Sequence, residues 1–338
     1  MWDASDDPLA LGNPGWFLHG LDADSRRATF VRTDRAALSA EPFLDYRWRQ
    51  DELACREVAV SDFSAVGSEP APVNFIWHTS HCASTVLASC LDAEGRCLAL
   101  KEPQVLVILA ALKRGGLRDP ALARAVFALL ARRFQPGEQV LIKPSNSANN
   151  LITEAAALTK GRMLLLYSDC ESFVLSIARQ GVSGFGLVRR LFMSLARDGH
   201  PAGCWPPEQL FRLTDLQLAV LVWRMQMDAL EVAATRLGER ARSLDCRRFL
   251  TNPGPVLCAV DDFLGLGLGR AHIQGALDGP RFRGHAKLPG QVFDPEARAA
   301  ENRRLRAQLG RDLDEALSSI ERDFPLAPPL EVGPAMVQ

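Results

Sequence analysis

Short apolar segments alternate with longer amphipathic segments through most of this chain. Apolar runs at 73–77, 97–100, 139–142, 162–167 and 241–244 are typical of short buried strands. Between and after these runs, apolar residues recur every three or four positions, which predicts helices over 86–91, 105–113, 121–134, 149–158, 171–179, 185–196, 207–237, 253–264 and 295–320. Strands that alternate with helices favour a three-layer α/β fold, with a parallel sheet that binds ligands at the carboxyl ends of its strands.

The first 70 residues follow a different pattern. Residues 17–21 and 28–31 read as two short strands joined by a polar turn, and the segment 68–72 has the two prolines of a linker. The predicted division is a small β-containing N-terminal appendage with its linker at 1–70, an α/β domain at 71–325, and a tail at 326–338.

The composition fits a globular enzyme. The chain has 338 residues, of which 47% are hydrophobic, and its formal net charge is −1, so nothing predicts bulk attraction to nucleic acid or membrane. The acidic start of the chain has no secretion signal, and its apolar runs are too short to span a bilayer. The 8 cysteines are scattered without a Cys-x-x-Cys pair, which predicts reduced thiols in a cytoplasmic protein and no metal site.

Residues 75–85 carry the clearest chemical signal. They read Phe-Ile-Trp-His-Thr-Ser-His-Cys-Ala-Ser-Thr, a strand that passes through a small hydroxyl-rich loop into a helix. This arrangement binds phosphate, because free backbone N–H groups and the positive end of the helix dipole face the anion. The loop lacks the Gly-Lys that precedes Ser or Thr in nucleoside-triphosphate-binding loops. An ordinary strand–turn–helix, capped by a serine, is the plainer alternative.

Three further polar segments follow predicted strands. Lys101-Glu102-Pro103 comes after the second strand of the α/β domain, Lys143-Pro144-Ser145 after the third, and Ser168-Asp169 after the fourth. Since the carboxyl ends of parallel strands meet at one edge of the sheet, these segments are expected beside the loop.

Taken in order, these segments resemble the P-loop sulfotransferase family. Its bacterial members carry His-Thr-Ser-Arg-Cys-Gly-Ser-Thr as the loop for the 5′-phosphosulfate, Ser-Glu-Pro after the second strand, and Lys-Pro-Thr/Ser after the third. This chain differs from them at His81, where a basic residue is usual, and at Ala83, where glycine is usual.

The resemblance extends over residues 73–290. The family's next strand ends in an arginine, with a serine eight residues later, and the two hold the 3′-phosphate of the sulfuryl donor; here these positions are Ser168 and Ser176. Residues 249–265 resemble the family's closing strand and helix, and residues 281–287 resemble its late basic loop. The chain is therefore similar to a divergent member, with a sulfotransferase-like P-loop fold and the N-terminal appendage outside the resemblance.

The resemblance implies a reaction and its residues. The donor would be 3′-phosphoadenosine 5′-phosphosulfate (PAPS), used as a co-substrate without a metal, and the acceptor a hydroxyl or amine of a small molecule or peptide. Glu102 is the predicted general base, Lys143 would assist the sulfuryl group or the leaving phosphate, and His81 would replace the usual basic residue. The predicted nucleotide-binding residues are Thr79, Ser80, His81, Cys82, Ala83, Ser84, Thr85, Ser168, Ser176, Arg283 and Lys287.

Other interpretations stay open. The missing arginine at position 168 favours a non-catalytic or repurposed nucleotide-binding accessory protein, unless Arg179, Arg189, Arg190, Arg283 or Lys287 replaces it. A kinase-like phosphotransferase is disfavoured by the absent loop lysine. Glu102, His81 and Lys143 also have plainer interpretations, as a loop carboxylate, a helix-start residue and half of a surface ion pair. The sequence does not identify the acceptor or decide whether the protein forms a homodimer. It also leaves open whether the appendage is a dimer contact, a substrate platform or a lid.

Overall fold

The computed structural model describes residues 11–48, 53–65, 72–283, 295–323 and 335–336. Its strands, in chain order, are β1 Trp16–Asp22, β2 Arg27–Arg32, β3 Cys55–Ala59, β4 Val73–His78, β5 Cys97–Lys101, β6 Gln139–Lys143, β7 Met163–Tyr167 and β8 Ala241–Asp245.

Helices connect and cover these strands. They are α1 Arg35–Ala40, α2 Ser84–Leu91, α3 Gln104–Arg114, α4 Pro120–Leu130, α5 Ile152–Leu158, α6 Cys170–Arg179, α7 Val182–Arg197, α8 Pro207–Phe211, α9 Asp215–Leu237, α10 Cys246–Thr251, α11 Pro253–Leu264, α12 Arg270–Asp278, α13 Pro280–Arg283 and α14 Pro295–Asp323. Short 3-10 segments lie at Val60–Ala65, Asn146–Leu151, Pro201–Cys204 and Gly238–Arg240.

A five-stranded parallel sheet, in the order β5-β6-β4-β7-β8, separates two hydrophobic cores. Alternate side chains of β4 point to opposite faces: Phe75 and Trp77 belong to the core under α3, α4 and α5, and Ile76 to the core under α2 and α11. The predicted α/β class, parallel sheet and three-layer arrangement are confirmed. The carboxyl ends of β4, β5, β6 and β7 lie along one edge of the sheet.

The N-terminal region forms a three-stranded antiparallel sheet, β1-β2-β3, that packs on the α/β domain. Its Phe17 and Phe30 share one hydrophobic core with Phe75 of the parallel sheet. The Arg35 guanidinium of α1 lies 3.1 Å from Asp92 and 2.7 Å from Glu138, two carboxylates buried in the α/β domain. Polar and apolar contacts therefore fasten this region to the main sheet.

Two predicted elements were wrong in part. The helix predicted over 207–237 is divided into α8 and α9, because Thr214 caps α9 in a capping box with Gln217. The segment 249–251, compared with a closing strand, is helical in α10, where the Asp245 carboxylate accepts a hydrogen bond from the Arg247 N–H. The closing strand is β8, directly before it. In the part of the chain that the structure describes, no helix is long and apolar enough to cross a membrane.

Candidate functional site

A cavity of about 430 Å³ opens at the carboxyl ends of the parallel strands. Six parts of the chain line it: the loop between β4 and α2, the turn after β5, the first turn of α3, the segment after β6, helix α7, and the N-terminal segment 43–47. The lining residues are Phe43, Asp45, Tyr46, Arg47, His78, Ser80, His81, Cys82, Ala83, Ser84, Thr85, Val86, Glu102, Gln104, Val107, Ser145, Asn146, Ser147, Leu187, Arg190, Leu191 and Ser194.

The loop between β4 and α2 has an unusual backbone. His81 (φ 62°) and Ala83 (φ 58°) are left-handed, whereas Cys82 between them is not. Alternation of this kind turns successive N–H groups to one side, which forms an anion-binding nest. A left-handed conformation costs a residue with a Cβ about 1–2 kcal/mol, which explains why glycine suits position 83.

Helix α2 begins inside this loop without a side-chain cap. Ala83 occupies the N-cap position and offers no hydrogen bond to the first turn, so the positive end of the helix faces the cavity. The Ser80 hydroxyl is buried without a hydrogen-bond partner among the described residues. The loop therefore combines an open helix N-terminus with an unsatisfied hydroxyl, and both are suited to bind an anion.

Cys82 and Thr79 hold the loop from beneath. The Cys82 thiol is 2.7 Å from the Thr79 carbonyl, and burial raises its pKa to about 11. The Thr79 hydroxyl accepts a hydrogen bond from the Ser168 N–H at 3.4 Å. Cys82 is therefore a neutral structural thiol, and Thr79 ties the loop to the end of β7.

A chain of charged side chains runs from the wall of the cavity, at Arg47 and Glu102, to the buried Lys143 behind it. Lys143 Nζ donates to Glu102 Oε1 at 2.6 Å, and Arg47 Nη2 donates to Glu102 Oε2 at 2.9 Å. Burial alone would raise the pKa of Glu102, but Lys143, with His78 and Arg47, holds that pKa down at about 2. Glu102 is a carboxylate with both oxygens engaged, on a left-handed residue (φ 55°).

His78 closes this chain at the start of the loop. Its Nε2 lies 3.3 Å from Lys143 Nζ and 2.9 Å from the Pro144 carbonyl, and its Nδ1 lies 2.6 Å from the Thr79 carbonyl. Burial and the charge of Lys143 lower the pKa of His78 to about 3, so the ring is neutral. His78 therefore links the loop to Lys143 without adding charge.

Arg47 is a residue of this site that the sequence analysis missed. Its Nε and Nη2 donate to the Asp45 carboxylate at 2.8 Å and 2.6 Å, and its guanidinium lies 3.4 Å from the centre of the Phe43 ring. It precedes the loop by more than thirty positions and belongs to no motif, so only its mixture of aromatic and charged neighbours distinguishes it in the sequence. The N-terminal region therefore supplies a wall of the cavity.

Two predicted nucleotide-binding residues lie apart from this wall. Ser168 is fully buried, and its carbonyl accepts a hydrogen bond from Trp223 Nε1 at 2.8 Å. Ser176 lies buried on α6, where its carbonyl accepts from Gln180 Nε2 at 2.9 Å. Gln180 Nε2 also lies 3.3 Å from His81 Nε2, so Ser176 and the loop are close neighbours.

The arginines considered as replacements at position 168 differ in placement. Arg179 pairs with Glu301 at 2.8 Å and Arg189 pairs with Asp215, whereas Arg190 lines the cavity. Arg283 ends α13, and its side chain lies outside the described residues, as does all of Lys287. Within the described residues, no group of three or more His, Cys, Asp or Glu side chains is placed to hold a metal ion.

No protein-family model matches the chain, and no curated protein does. Among solved structures, it is similar to a sulfotransferase domain from the curacin biosynthetic pathway, with 15% identity, a TM-score of 0.47, and coverage of 72% of this chain and 98% of that one. It is also similar to the sulfotransferase domain of the Synechococcus PCC 7002 olefin synthase, with 15% identity, a TM-score of 0.42, and coverage of 77% and 98%. A third similar structure is sulfotransferase STF9 from Mycobacterium avium, with 14% identity, a TM-score of 0.37, and coverage of 93% and 97%.

Proposed function

We propose that this chain binds PAPS at the loop between β4 and α2 and transfers its sulfuryl group to a hydroxyl or amine of a small molecule or peptide. The observation that carries the proposal is the open N-terminus of α2 behind the left-handed residues His81 and Ala83. These groups suit the 5′-phosphosulfate, and the unsatisfied Ser80 hydroxyl adds a polar group at the same place.

The loop residues divide the work of binding. Backbone N–H groups of the loop and the hydroxyls of Ser84 and Thr85 would contact the 5′-phosphosulfate, while Thr79 and Cys82 keep the loop in shape. A cavity of about 430 Å³ is within the usual range for a ligand of nucleotide size.

The transfer itself exchanges one bond for another. The acceptor oxygen or nitrogen attacks sulfur, the bond from sulfur to the bridging oxygen breaks, and adenosine 3′,5′-bisphosphate leaves with that electron pair. The positive charge of Lys143 stabilises the charge that develops on the leaving phosphate. The acceptor proton passes to a base.

Glu102 remains the proposed base, on condition that Lys143 or Arg47 releases it when PAPS binds. Its pKa of about 2 makes it a weak base while Lys143 and Arg47 both contact it. Bound PAPS carries negative charge that competes for these cations. Release of either cation would raise the pKa of Glu102 towards the value at which proton transfer is effective.

A second function, nucleotide binding without transfer, rests on position 168. Serine carries no charge, and Ser168 is also buried and outside the cavity wall, so this position offers no cation to the 3′-phosphate. If the chain binds PAPS, Arg190 on α7 is the proposed partner of that phosphate, because its side chain lines the cavity. Failure of Arg190 in this role would favour an accessory protein with a different nucleotide.

Calorimetric titration with adenosine 3′,5′-bisphosphate, beside AMP and beside ATP with Mg²⁺, tests the proposal. We expect micromolar binding of the bisphosphate and weaker binding of the other two. Ser84→Ala should weaken that binding by about tenfold, through loss of a hydrogen bond to a charged group. Ser89→Ala makes the same change on α2 outside the cavity and should leave the affinity unchanged.

Absence of bisphosphate binding by the wild-type protein would contradict the proposal. Preferential binding of ATP with Mg²⁺ would instead support the kinase-like alternative. If the bisphosphate binds, release of bisphosphate from PAPS in an acceptor screen separates a transferase from an accessory protein.

A further inference from the structure

The positive charges of the cavity wall are distributed unusually. The loop at 79–85 has no Lys or Arg, and Lys143 is fully buried behind Glu102. Among the described residues, the Lys and Arg side chains that line the cavity are Arg47 and Arg190. A ligand with a phosphosulfate therefore meets positive side chains on the N-terminal segment and on α7.

We propose that Arg47 binds the sulfuryl group of the donor and so takes the role of the basic residue that the loop lacks. This inference rests on the proposed function. Arg47 contacts Glu102, Glu102 contacts Lys143, and Lys143 contacts His78, the residue at the start of the loop. These contacts connect Arg47 to the residue at the start of the loop that would bind the phosphosulfate.

His81 is less suited to this role, although it occupies the loop position where a basic residue is usual. Its Nε2 lies 3.3 Å from Gln180 Nε2, and its ring lies 6.1 Å from the ring of Phe173. Phe173 belongs to α6 and Gln180 directly follows that helix, so the imidazole is turned towards α6.

The guanidinium of Arg47 has donors left for a ligand. Nε and Nη2 are committed to Asp45 and Glu102, whereas Nη1 makes no hydrogen bond to the described residues. The side chain is 39% exposed, and Arg47 lines the cavity. The two N–H groups of Nη1 can donate charge-assisted hydrogen bonds to the oxygens of a sulfuryl group.

The segment around Arg47 is fixed before any ligand arrives. The Leu44 N–H donates to the Lys101 carbonyl at 2.7 Å, and the Gln104 N–H donates to the Leu44 carbonyl at 2.9 Å. Phe43 lies against one face of the guanidinium, and Asp45 is buried. Because this cation is already held in place, anion binding does not require the entropy loss of ordering its side chain.

Titration of PAPS and of adenosine 3′,5′-bisphosphate into matched variants isolates the sulfuryl group, which only PAPS carries. Arg47→Gln should weaken PAPS binding by about tenfold or more, and bisphosphate binding by no more than about twofold, since the lost contact involves only the sulfuryl oxygens. Arg47→Lys keeps the charge without the planar fork, so an intermediate loss for PAPS is expected. Arg190→Gln, on α7, is the control and should affect the two ligands by equal factors, since both ligands carry the 3′-phosphate that Arg190 is proposed to contact.

Two results overturn the inference, and they are distinguishable. If the wild-type protein binds both ligands and Arg47→Gln weakens them equally, the inference fails while the proposed function stands. If the wild-type protein binds neither ligand, the proposed function fails and the inference with it. Thermal unfolding of each variant checks the fold, and Arg47→Lys provides the comparison if Arg47→Gln does not fold.

Discussion

The protein has a second cavity, larger than the first and lined by more Lys and Arg side chains. It measures about 680 Å³, against about 430 Å³ for the cavity at the strand ends. Its walls come from the ends of α3 and α7 and from the middle of α9. Size alone would select the second cavity as the binding site.

The two cavities differ in the hydrogen bonds of the residues that line them. In the second, Arg114 holds the Asp198 carboxylate at 2.9 and 2.8 Å, and Asp228 lies between Arg224 (2.6 Å) and His200 (3.0 Å). The helices that end there carry basic residues in their last turns, which offset the negative ends of their dipoles. In the first cavity, by contrast, a helix begins without a side-chain cap, and the buried Ser80 hydroxyl, which can donate, has no partner among the described residues. The buried atoms without a partner in the wall of the second cavity include Asn149 Oδ1 and Asn150 Oδ1, which are acceptors. An anion site is therefore identified by unsatisfied donors rather than by volume.

The largest expected difference between the cavities is in how much free energy of unfolding is lost when an ion pair is broken. Lys143 is fully buried against Glu102, so Lys143→Met should lower the free energy of unfolding by about 3 kcal/mol, because it leaves a carboxylate short of a partner in a buried site. Arg114→Met in the second cavity should cost about 1 kcal/mol, since Asp198 keeps a hydrogen bond from Asn150. Urea unfolding of both variants measures the difference, and equal losses would contradict it.

Lowering the pH should destabilise the folded protein through His78, beside the first cavity. Its pKa is lowered from 6.5 to about 3, so the unfolded chain binds a proton there that the folded protein does not, and stability falls as the pH drops through this window. The pKa of Glu102, lowered from 4.5 to about 2, acts in the same direction at lower pH. For His78 alone the loss between pH 6.5 and 4.5 should be about 2–3 kcal/mol.

Unfolding measured across pH in wild type and in His78→Asn checks this expectation. The variant should show a shallower decline between pH 6.5 and 4.5. His19, in the N-terminal sheet, has its pKa lowered to about 4 by burial, so His19→Asn should flatten the same curve by a separate amount. An unchanged slope in His78→Asn would show that its ring is protonated in the folded protein.

The smallest expected effect on stability comes from placing glycine in the backbone that lines each cavity. Ala83→Gly should stabilise the protein by about 1 kcal/mol, because glycine adopts the left-handed conformation of residue 83 without strain. Ala229→Gly, at a helical position of α9 in the second cavity, should destabilise it by about 1 kcal/mol. Thermal unfolding should therefore move in opposite directions, and a shift of the same sign would remove the argument for strain in the loop.

The sequence predicted what local pattern and chain order decide. Five apolar runs became the parallel strands, and the loop at 79–83 lies between a strand and a helix as expected. The strand β3 was missed, since its residues alternate between exposed and half-buried without an apolar face. The break between α8 and α9, before Thr214, was also missed, because apolar residues recur at helical spacing on both sides of it.

The parts of the site that were missed depend on contacts between distant positions. Arg47 reaches Glu102 across 55 positions, and no spacing rule connects them. Ser168 directly follows a strand that was predicted well, but the hydrogen bond to its carbonyl comes from Trp223 of α9, 55 positions away. The roles predicted for Glu102, Lys143, His81 and the loop remain predictions that the binding experiments address.

The attachment of the N-terminal region at two points constrains how its sequence can vary. Arg35 is bound to two buried carboxylates, and Leu44 is hydrogen-bonded to the turn after β5. The residues between them bridge a fixed span, so an insertion or deletion there would displace the wall of the cavity. In homologous chains that keep this wall, we expect length changes to collect in the exposed turn between β1 and β2, while the spacing from 35 to 47 stays constant.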